Sequence, residues 1–269
     1  MCAVKCLLSH SLEFVCDLSV NFKFRRLLCE LRVGIVSESS KVQLLSRIND
    51  VRPMDMEEDL PTLLFPKNSL VDAINAQYIE KINSREVVYD AIDQGDVHYL
   101  NGVRAPKKLR LKVGAQVMLL KNLSVVDGLV NGTCGIVKRF SKAKFNEYSN
   151  TSLLPLVEFT VSVEGKVRRL ERVIHLAVWE MRDINSIRAS RRQIPLMLAW
   201  ALTIHKAQGM TIPHAKVSFS GMFQCGQAYV AISRVKDLQS LSLSDFDESY
   251  VRANEKVRTF YSSLGHSRL

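Results

Sequence analysis

Between Lys112 and about Val178 the sequence breaks into short β-rich runs, AQVMLL, CGIVKRF, LVEFTVSV and KVRRLERVIHL, parted by turn signals at Asp127-Gly128, Asn131-Gly132 and Glu164-Gly165. Runs this short, joined by turns that accept positive φ, pair antiparallel with their neighbours, because parallel pairing needs a long crossover between strands. A small antiparallel barrel or sandwich, inserted over residues 112–193, is the expectation. The flanks have a different texture. Upstream, TLLFP (Thr62 to Pro66) reads as a buried strand, followed by Asn68 and Ser69 as helix-cap candidates with Asp72 three residues after Ser69, and a helix to about Asn83. A strand-loop-helix unit of this kind is the building block of an α/β sheet.

After Gln193 the α/β texture returns. Leu196 to Thr203 reads as one buried strand, Ile204 to Gln208 as a short turn of helix, Ala215 to Phe219 and Leu241 to Leu243 as strands, and Gln227 to Arg234 as a helix. Val251 to Leu264 reads as a closing helix with Val257, Phe260, Tyr261 and Leu264 at core spacing. Ahead of the first strand, Phe24, Leu27, Leu28 and Leu31 repeat at helical spacing among arginines, Gly34 stops that helix, Ser37 to Arg47 forms another, and Arg52 to Pro61 is a linker. The divisions are therefore residues 1–60, 61–111, 112–193 and 194–269, with the α/β domain split by the β insertion.

Charge narrows the partners. The 269 residues carry 37 Lys and Arg against 27 Asp and Glu, a net +10, and the cations cluster at Lys107, Lys108, Arg110 and Lys112, at Lys138, Arg139, Lys142 and Lys144, and at Lys166, Arg168, Arg169 and Arg172. Such clustering favours a polyanionic partner, nucleic acid first. The six cysteines form no CxxC pair and no His stands at ligand spacing, so neither a zinc site nor a disulfide framework is expected, and a reducing, intracellular compartment fits. No apolar run reaches the ~18 residues needed to span a bilayer, so no membrane partner is expected. Met1 to Val20 is apolar but interrupted by His10, Glu13 and Asp17, which fits no targeting segment.

The richest polar cluster is TIHKAQGMT, Thr203 to Thr211, directly after a buried strand, where open α/β sheets bind ligands. Lys206 suits a phosphate as a point charge, and Gln208 with the hydroxyls of Thr203 and Thr211 suits phosphate or sugar oxygens; a solvated loop is the alternative. The second cluster is GQAYVAISR, Gly226 to Arg234. Its arginine is either a partner for the helix C-terminal dipole or an arginine finger reaching a nucleotide on a neighbouring domain. The nearest match to a phosphate-gripping loop, GMFQCGQA (Gly221 to Ala228), has the glycine spacing but neither the Lys nor the Ser/Thr that such a loop needs, and no Walker B run is present.

LAWALTIHKAQGMT followed by GQAYVAISRVKDLQSL resembles motifs V and VI of helicases of the Pif type (petite integration frequency), relatives of the RecD helicases within superfamily 1. LKVGAQVMLLKN and GLVNGTCGIVKRF resemble the entry to that family's inserted β-barrel, PTLLFPKNSLVDAIN the opening of its second RecA-like domain, and FRRLLCELRVG the last helix before it. The resemblance covers about Phe24 to Leu264 and implies a second RecA-like domain with an inserted barrel, taken from a two-domain motor that unwinds DNA 5′ to 3′ with ATP and Mg²⁺. It implies Arg234 as the arginine finger, Gln227 and Gly209 near the nucleotide, and Thr203, His205, Lys206 and Gln208 as the segment gripping the backbone of single-stranded or forked DNA. It also implies roles in repair, recombination and telomere or genome maintenance, in a nucleus or mitochondrion if the source is eukaryotic. The first RecA-like domain, which holds most of the nucleotide, has no counterpart here, and Leu18 falls where the family places a motif IV arginine. The expectation is a chain that needs a partner supplying that domain, with a non-catalytic nucleic-acid-binding module, or a truncated helicase, as the alternative.

Overall fold

The structure, a computed structural model, describes residues 22–48, 61–142, 153–163, 166–183 and 186–263. The expectations for Met1 to Val20, Leu18, the linker at 52–60, Lys144, the Glu164-Gly165 turn and Leu264 lie outside the described residues. The chain opens with α1 (Phe22–Val33) and α2 (Glu38–Leu45), then β1 (Thr62–Phe65) and α3 (Asn68–Lys81). Strands β2 (Val87–Asp90), β3 (Ile92–Gly95), β4 (Lys108–Leu111), β5 (Gln116–Leu119), β6 (Cys134–Lys142), β7 (Leu153–Val163), β8 (Lys166–Val173), β9 (Ala177–Arg182), β10 (Ile187–Gln193) and β11 (Leu196–Leu198) follow. The last part holds β12 (Ala201–Thr203), β13 (Ala215–Val217), α4 (Gln227–Ile232), β14 (Leu241–Leu243) and α5 (Glu255–Ser263).

These elements form an α/β fold of two textures. The order β12-β1-β13-β14 is parallel throughout, with Leu64 opposite Leu202 and Val217. Antiparallel pairing builds the five-stranded sheet β11-β5-β6-β7-β8 and the three-stranded sheet β3-β10-β9. It is not confined to residues 112–193: β2 pairs antiparallel with β4, β3 joins β10, and β11 joins β5. Tyr89 and Leu109 share a core with Val117, Val137 and Phe159, so the segment after α3 packs with the antiparallel sheets. Leu64, Leu202, Val217 and Leu243 of the parallel sheet pack with Leu27 of α1 and Ile232 of α4 in a second core. Each such side chain, fully buried, contributes roughly 1.5–3 kcal/mol.

Three local expectations change. The run Leu196 to Thr203 is two strands in two sheets, because Ala199 and Trp200 carry the chain across: the Ala199 N–H donates to the Gln116 carbonyl at 3.0 Å, and the Leu63 N–H donates to the Trp200 carbonyl at 2.8 Å. Uniform apolarity, which suggested one strand, comes from burial in both cores. Helix α3 begins at Asn68, so the cap position falls to Lys67, which makes no side-chain cap. In α5 no residue is buried: Phe260 is 42% exposed, and Tyr261 is used for its hydroxyl, which accepts from Arg32 Nη1 at 3.1 Å while Arg32 Nη2 reaches the Tyr229 hydroxyl at 2.9 Å.

Two polar arrangements inside the protein hold the sheets in place. On the outer side of β12, Asn75 of α3 satisfies both backbone groups of Ala201, donating from Nδ2 to its carbonyl at 2.8 Å and accepting its N–H at 3.0 Å. In the three-stranded sheet the buried Arg191 makes a two-pronged pair with Asp93, both contacts 2.7 Å, and donates to the Ala105 carbonyl at 2.9 Å. That hydrogen bonding holds the Asp93 carboxyl below its usual range, against the opposing effect of its partial burial.

Asn75→Leu leaves both Ala201 groups without partners and is expected to cost about 1–3 kcal/mol in urea unfolding. Asp93→Asn strands a buried guanidinium and is expected to cost about 3–5 kcal/mol at pH 7. Because the folded carboxyl is the stronger acid, the pair's contribution is complete above pH ~4 and disappears as pH falls through the lowered folded value, so wild type and D93N are expected to converge in acid melts.

Candidate nucleic-acid and nucleotide interface

The segment Thr203–Thr211 leaves the carboxyl end of β12 through tight turns. Thr203 is buried; its carbonyl accepts the Ala207 N–H at 3.0 Å and its Oγ1 accepts the Lys206 N–H at 3.3 Å, so the hydroxyl shapes the turn. Gly209 reverses the chain at φ +76 with nothing within 4 Å of a Cβ position, so its requirement is conformational. His205 and Lys206 come out on the surface side, whereas Ala207 and Met210 enter the core.

A groove at this end of the parallel sheet is lined by Thr203, His205 and Lys206, by Lys67 and Asn68 from the turn into α3, and by Phe223. Among the described residues neither the Lys67 nor the Lys206 ammonium has a carboxylate partner, and none of these lining residues is acidic. The sequence clusters of cations fare differently: Lys108 pairs with Asp90, Arg110 with Glu80 and Glu86, Lys138 and Arg169 with Glu158, and Arg168 and Arg172 with Asp127. The free positive charge of the groove therefore comes from two lysines that stand in no charge run.

Gln227 lies beneath the groove. It is 3% exposed, and its Oε1 accepts the N–H groups of Phe223 at 2.8 Å and Gln224 at 3.1 Å, while its Nε2 is buried without a hydrogen-bond partner. Gln224 in turn meets His205 Nε2 at 2.8 Å, and the Phe223 ring lies 6.3 Å from the imidazole, so Gln227 sets the wall that His205 leans on. Arg234, just past α4, folds back: Nε donates to the Val230 carbonyl at 2.8 Å, Nη2 to Ser233 Oγ at 2.7 Å and Nη1 to the Met210 carbonyl at 3.4 Å. The Arg234 carbonyl accepts the Ile212 N–H at 2.8 Å, so the arginine is tied to the end of the Thr203–Thr211 segment through Met210 and to the residue just after it. Burial lowers the pKa of its guanidinium, and all its hydrogen-bond acceptors are neutral.

The structure thus brings Thr203, His205 and Lys206 to one groove, with Gln227 supporting it from below and Arg234 fastened to the far end of the same loop. Gln208 is half-buried and does not line the groove. Sequence reading missed Lys67, Asn68, Phe223 and Gln224. The rule that ligands gather where parallel strands end points to Lys67 and Asn68, which follow β1 as His205 and Lys206 follow β12.

Residues 100–140 match the family model described as DNA helicase Pif1, 2B domain. The ATP-dependent DNA helicase PIF1 of Danio rerio is 37% identical over 250 residues, 91% of this chain and 36% of that protein. Among solved structures, the Pif1 helicase from Candida albicans aligns with a TM-score of 0.69 at 33% identity over 91% of this chain and 58% of that one. Bacteroides Pif1 bound to ssDNA shares the fold, with a TM-score of 0.58 at 23% identity over 91% of this chain and 54% of that one. The chain spans about a third of the length of the Danio rerio relative. By sequence and by fold, it carries the C-terminal region of a Pif1-type superfamily 1 helicase.

Proposed function

We propose that this chain is the DNA-gripping and nucleotide-responding part of an ATP-dependent 5′ to 3′ DNA helicase. The parallel sheet is the second RecA-like domain, the antiparallel sheets are its inserted barrel, and the first RecA-like domain comes from residues outside this sequence. The observation that carries the reading is the groove at the end of β12, where Lys67 and Lys206 are unpaired and His205, Thr203 and Asn68 add hydrogen-bonding groups. Cations without carboxylates, beside hydroxyl, imidazole and amide groups, suit a phosphodiester backbone. Such contacts grip without reading sequence, as a translocating motor requires. Phe223 offers an aromatic face for a base beside that backbone.

Arg234 fits a nucleotide phosphate. A guanidinium that is part-buried and bonded only to neutral oxygens recovers lost solvation when an anion arrives, and the linked Met210 and Ile212 register its movement in the DNA-gripping loop. The orphaned Gln227 Nε2, at the other end of α4, is a donor left over beneath the groove, and Gly209 gives the loop its turn. ATP, when bound, would supply the phosphoanhydride whose hydrolysis drives such a motor, and Arg234 would be the residue of this chain to stabilise charge on its phosphates. The groove lacks carboxylates, so ligands for Mg²⁺ are expected on the first RecA-like domain. Family resemblance supports the further roles in DNA repair, recombination and telomere or genome maintenance, in the nucleus or mitochondrion.

With single-stranded DNA and Mg·ATP, the polypeptide alone is expected to release no phosphate; sustained turnover would overturn the division of labour between the two domains. It is expected to bind single-stranded oligonucleotide with an affinity that falls steeply with salt. Lys206→Ala should weaken binding alike for all sequences and flatten the log-log salt slope by about 0.7. Salt-independent binding, or an unchanged slope in the variant, would refute the groove as the DNA site.

A further inference from the structure

The eight-residue β8 is the longest outer strand of the described residues, and it ends the sheet β11-β5-β6-β7-β8 with β7 on one side only. Its register tells which backbone groups are left over. The Ile174 N–H donates to the Pro155 carbonyl at 2.9 Å, one step beyond the pair Leu156 and Val173. Bonded pairs alternate in an antiparallel ladder, so Arg172, Leu170 and Arg168 turn their N–H and carbonyl groups to β7, opposite Val157, Phe159 and Val161. Glu171 and Val173 turn theirs the other way, and among the described residues no other group takes them up. A row of alternating donors and acceptors on an outer strand is a template for one more strand.

The side chains on this margin decide what such a strand must carry. Cross-strand neighbours share a face, so Arg168, Leu170 and Arg172 stand on the side of buried Val157, Phe159 and Val161, and half-buried Leu170 packs on that core. The two guanidinium groups flank Leu170 and share one carboxylate, Asp127, at 3.8 Å from Arg168 and 2.9 Å from Arg172, while staying 51% and 47% exposed. Cation, aliphatic, cation at every second residue is complemented by anion, aliphatic, anion on the neighbouring strand, with carboxylates opposite Arg168 and Arg172 and an apolar side chain covering the open flank of Leu170. A second copy of β8, paired antiparallel about Leu170, would set Arg168 against Arg172, and like charges oppose that pairing. Phosphate groups only accept hydrogen bonds, so they leave the carbonyls of Glu171 and Val173 unmet and give Leu170 no cover.

We propose that the open margin of β8 is a docking edge for an extended segment of a partner protein, which adds to the sheet as a strand with acidic, aliphatic and acidic side chains at alternate positions. The probe is a fluorescein-labelled peptide, Thr-Glu-Thr-Val-Thr-Glu-Thr, whose glutamates fall opposite Arg168 and Arg172 and whose two inner threonines present their N–H groups to β8. Anisotropy with the full chain is expected to show saturable binding. N-methylation of the inner threonines keeps every charge, removes those donors, and is expected to weaken binding about ten-fold or more. R168E/R172E, with unchanged thermal melts as the check on folding, should lose about ten-fold or more on this peptide and regain it on Thr-Lys-Thr-Val-Thr-Lys-Thr. The methylated peptide tests the added strand on wild type alone, so a variant that melts early leaves the test decisive. Equal affinity for the methylated peptide, or a folded variant that keeps its affinity for the parent peptide, overturns strand addition, as does the absence of binding up to about 1 mM. With no peptide bound, loss of single-stranded oligonucleotide binding in R168E/R172E assigns the margin to nucleic acid, and a dimer that the variant abolishes assigns it to a second copy; either overturns the proposal.

Discussion

The fold turns on a two-residue crossing. At Ala199 and Trp200 the chain leaves an antiparallel sheet and enters a parallel one, and each side of the crossing is hydrogen-bonded to its own sheet, Ala199 to Gln116 and Trp200 to Leu63. Gln116 adds its side chain, donating to the Ala199 carbonyl at 3.2 Å, and the Trp200 ring stacks on Tyr78 of α3 with centroids 5.6 Å apart. The crossing fixes where β12 starts, and with only three residues in that strand it also fixes where Thr203 ends and the binding loop begins. A shift of one residue would turn every side chain of β12 to the opposite face. The position of His205 and Lys206 is therefore decided in the core, five residues upstream.

That arrangement places the two signature segments on one mechanical path. Gln227 supports Gln224, Gln224 meets His205, and Arg234 binds the carbonyl and amide groups of Met210 and Ile212. The Thr203–Thr211 loop is thus held at one end by an uncharged amide and at the other by a cation bonded to neutral oxygens. Among the described residues no ion pair has to break for either end to move, which keeps the cost of rearrangement low.

Much of this was legible in the residues. The change of texture near Lys112, the Asp127-Gly128 and Asn131-Gly132 turns, and the 3.6-residue period of Phe24, Leu27 and Leu31 each correspond to an observed strand, turn or buried helix face. Leu196 to Thr203 was misread as one strand because both sheets bury it, and hydrophobicity does not record which sheet a residue enters. Phe260 was read as core from spacing alone, although α5 contributes chiefly a hydroxyl to Arg32. For the candidate site, motif order pointed to the loop that lines the groove, whereas many of the cations in the charge runs meet carboxylates. Lys138, Arg168, Arg169 and Arg172 answer carboxylates across the sheet, contacts that register alone reveals, while isolated Lys67 and Lys206 stay free.

The short parallel sheet has two outer strands, and both are sealed. Along β12 the Asn75 side chain occupies the N–H and carbonyl of Ala201; along β14 the Arg47 carbonyl takes the Leu243 N–H at 2.8 Å, and Arg47 Nε reaches the Leu241 carbonyl at 2.9 Å. Open strand edges invite other chains to add on, ending in domain exchange or aggregation. With both margins closed by side chains and a loop, neighbouring protein cannot extend this sheet. What stays open to a neighbour at this sheet is the set of loops where its strands end, and those loops carry Lys67 and Lys206.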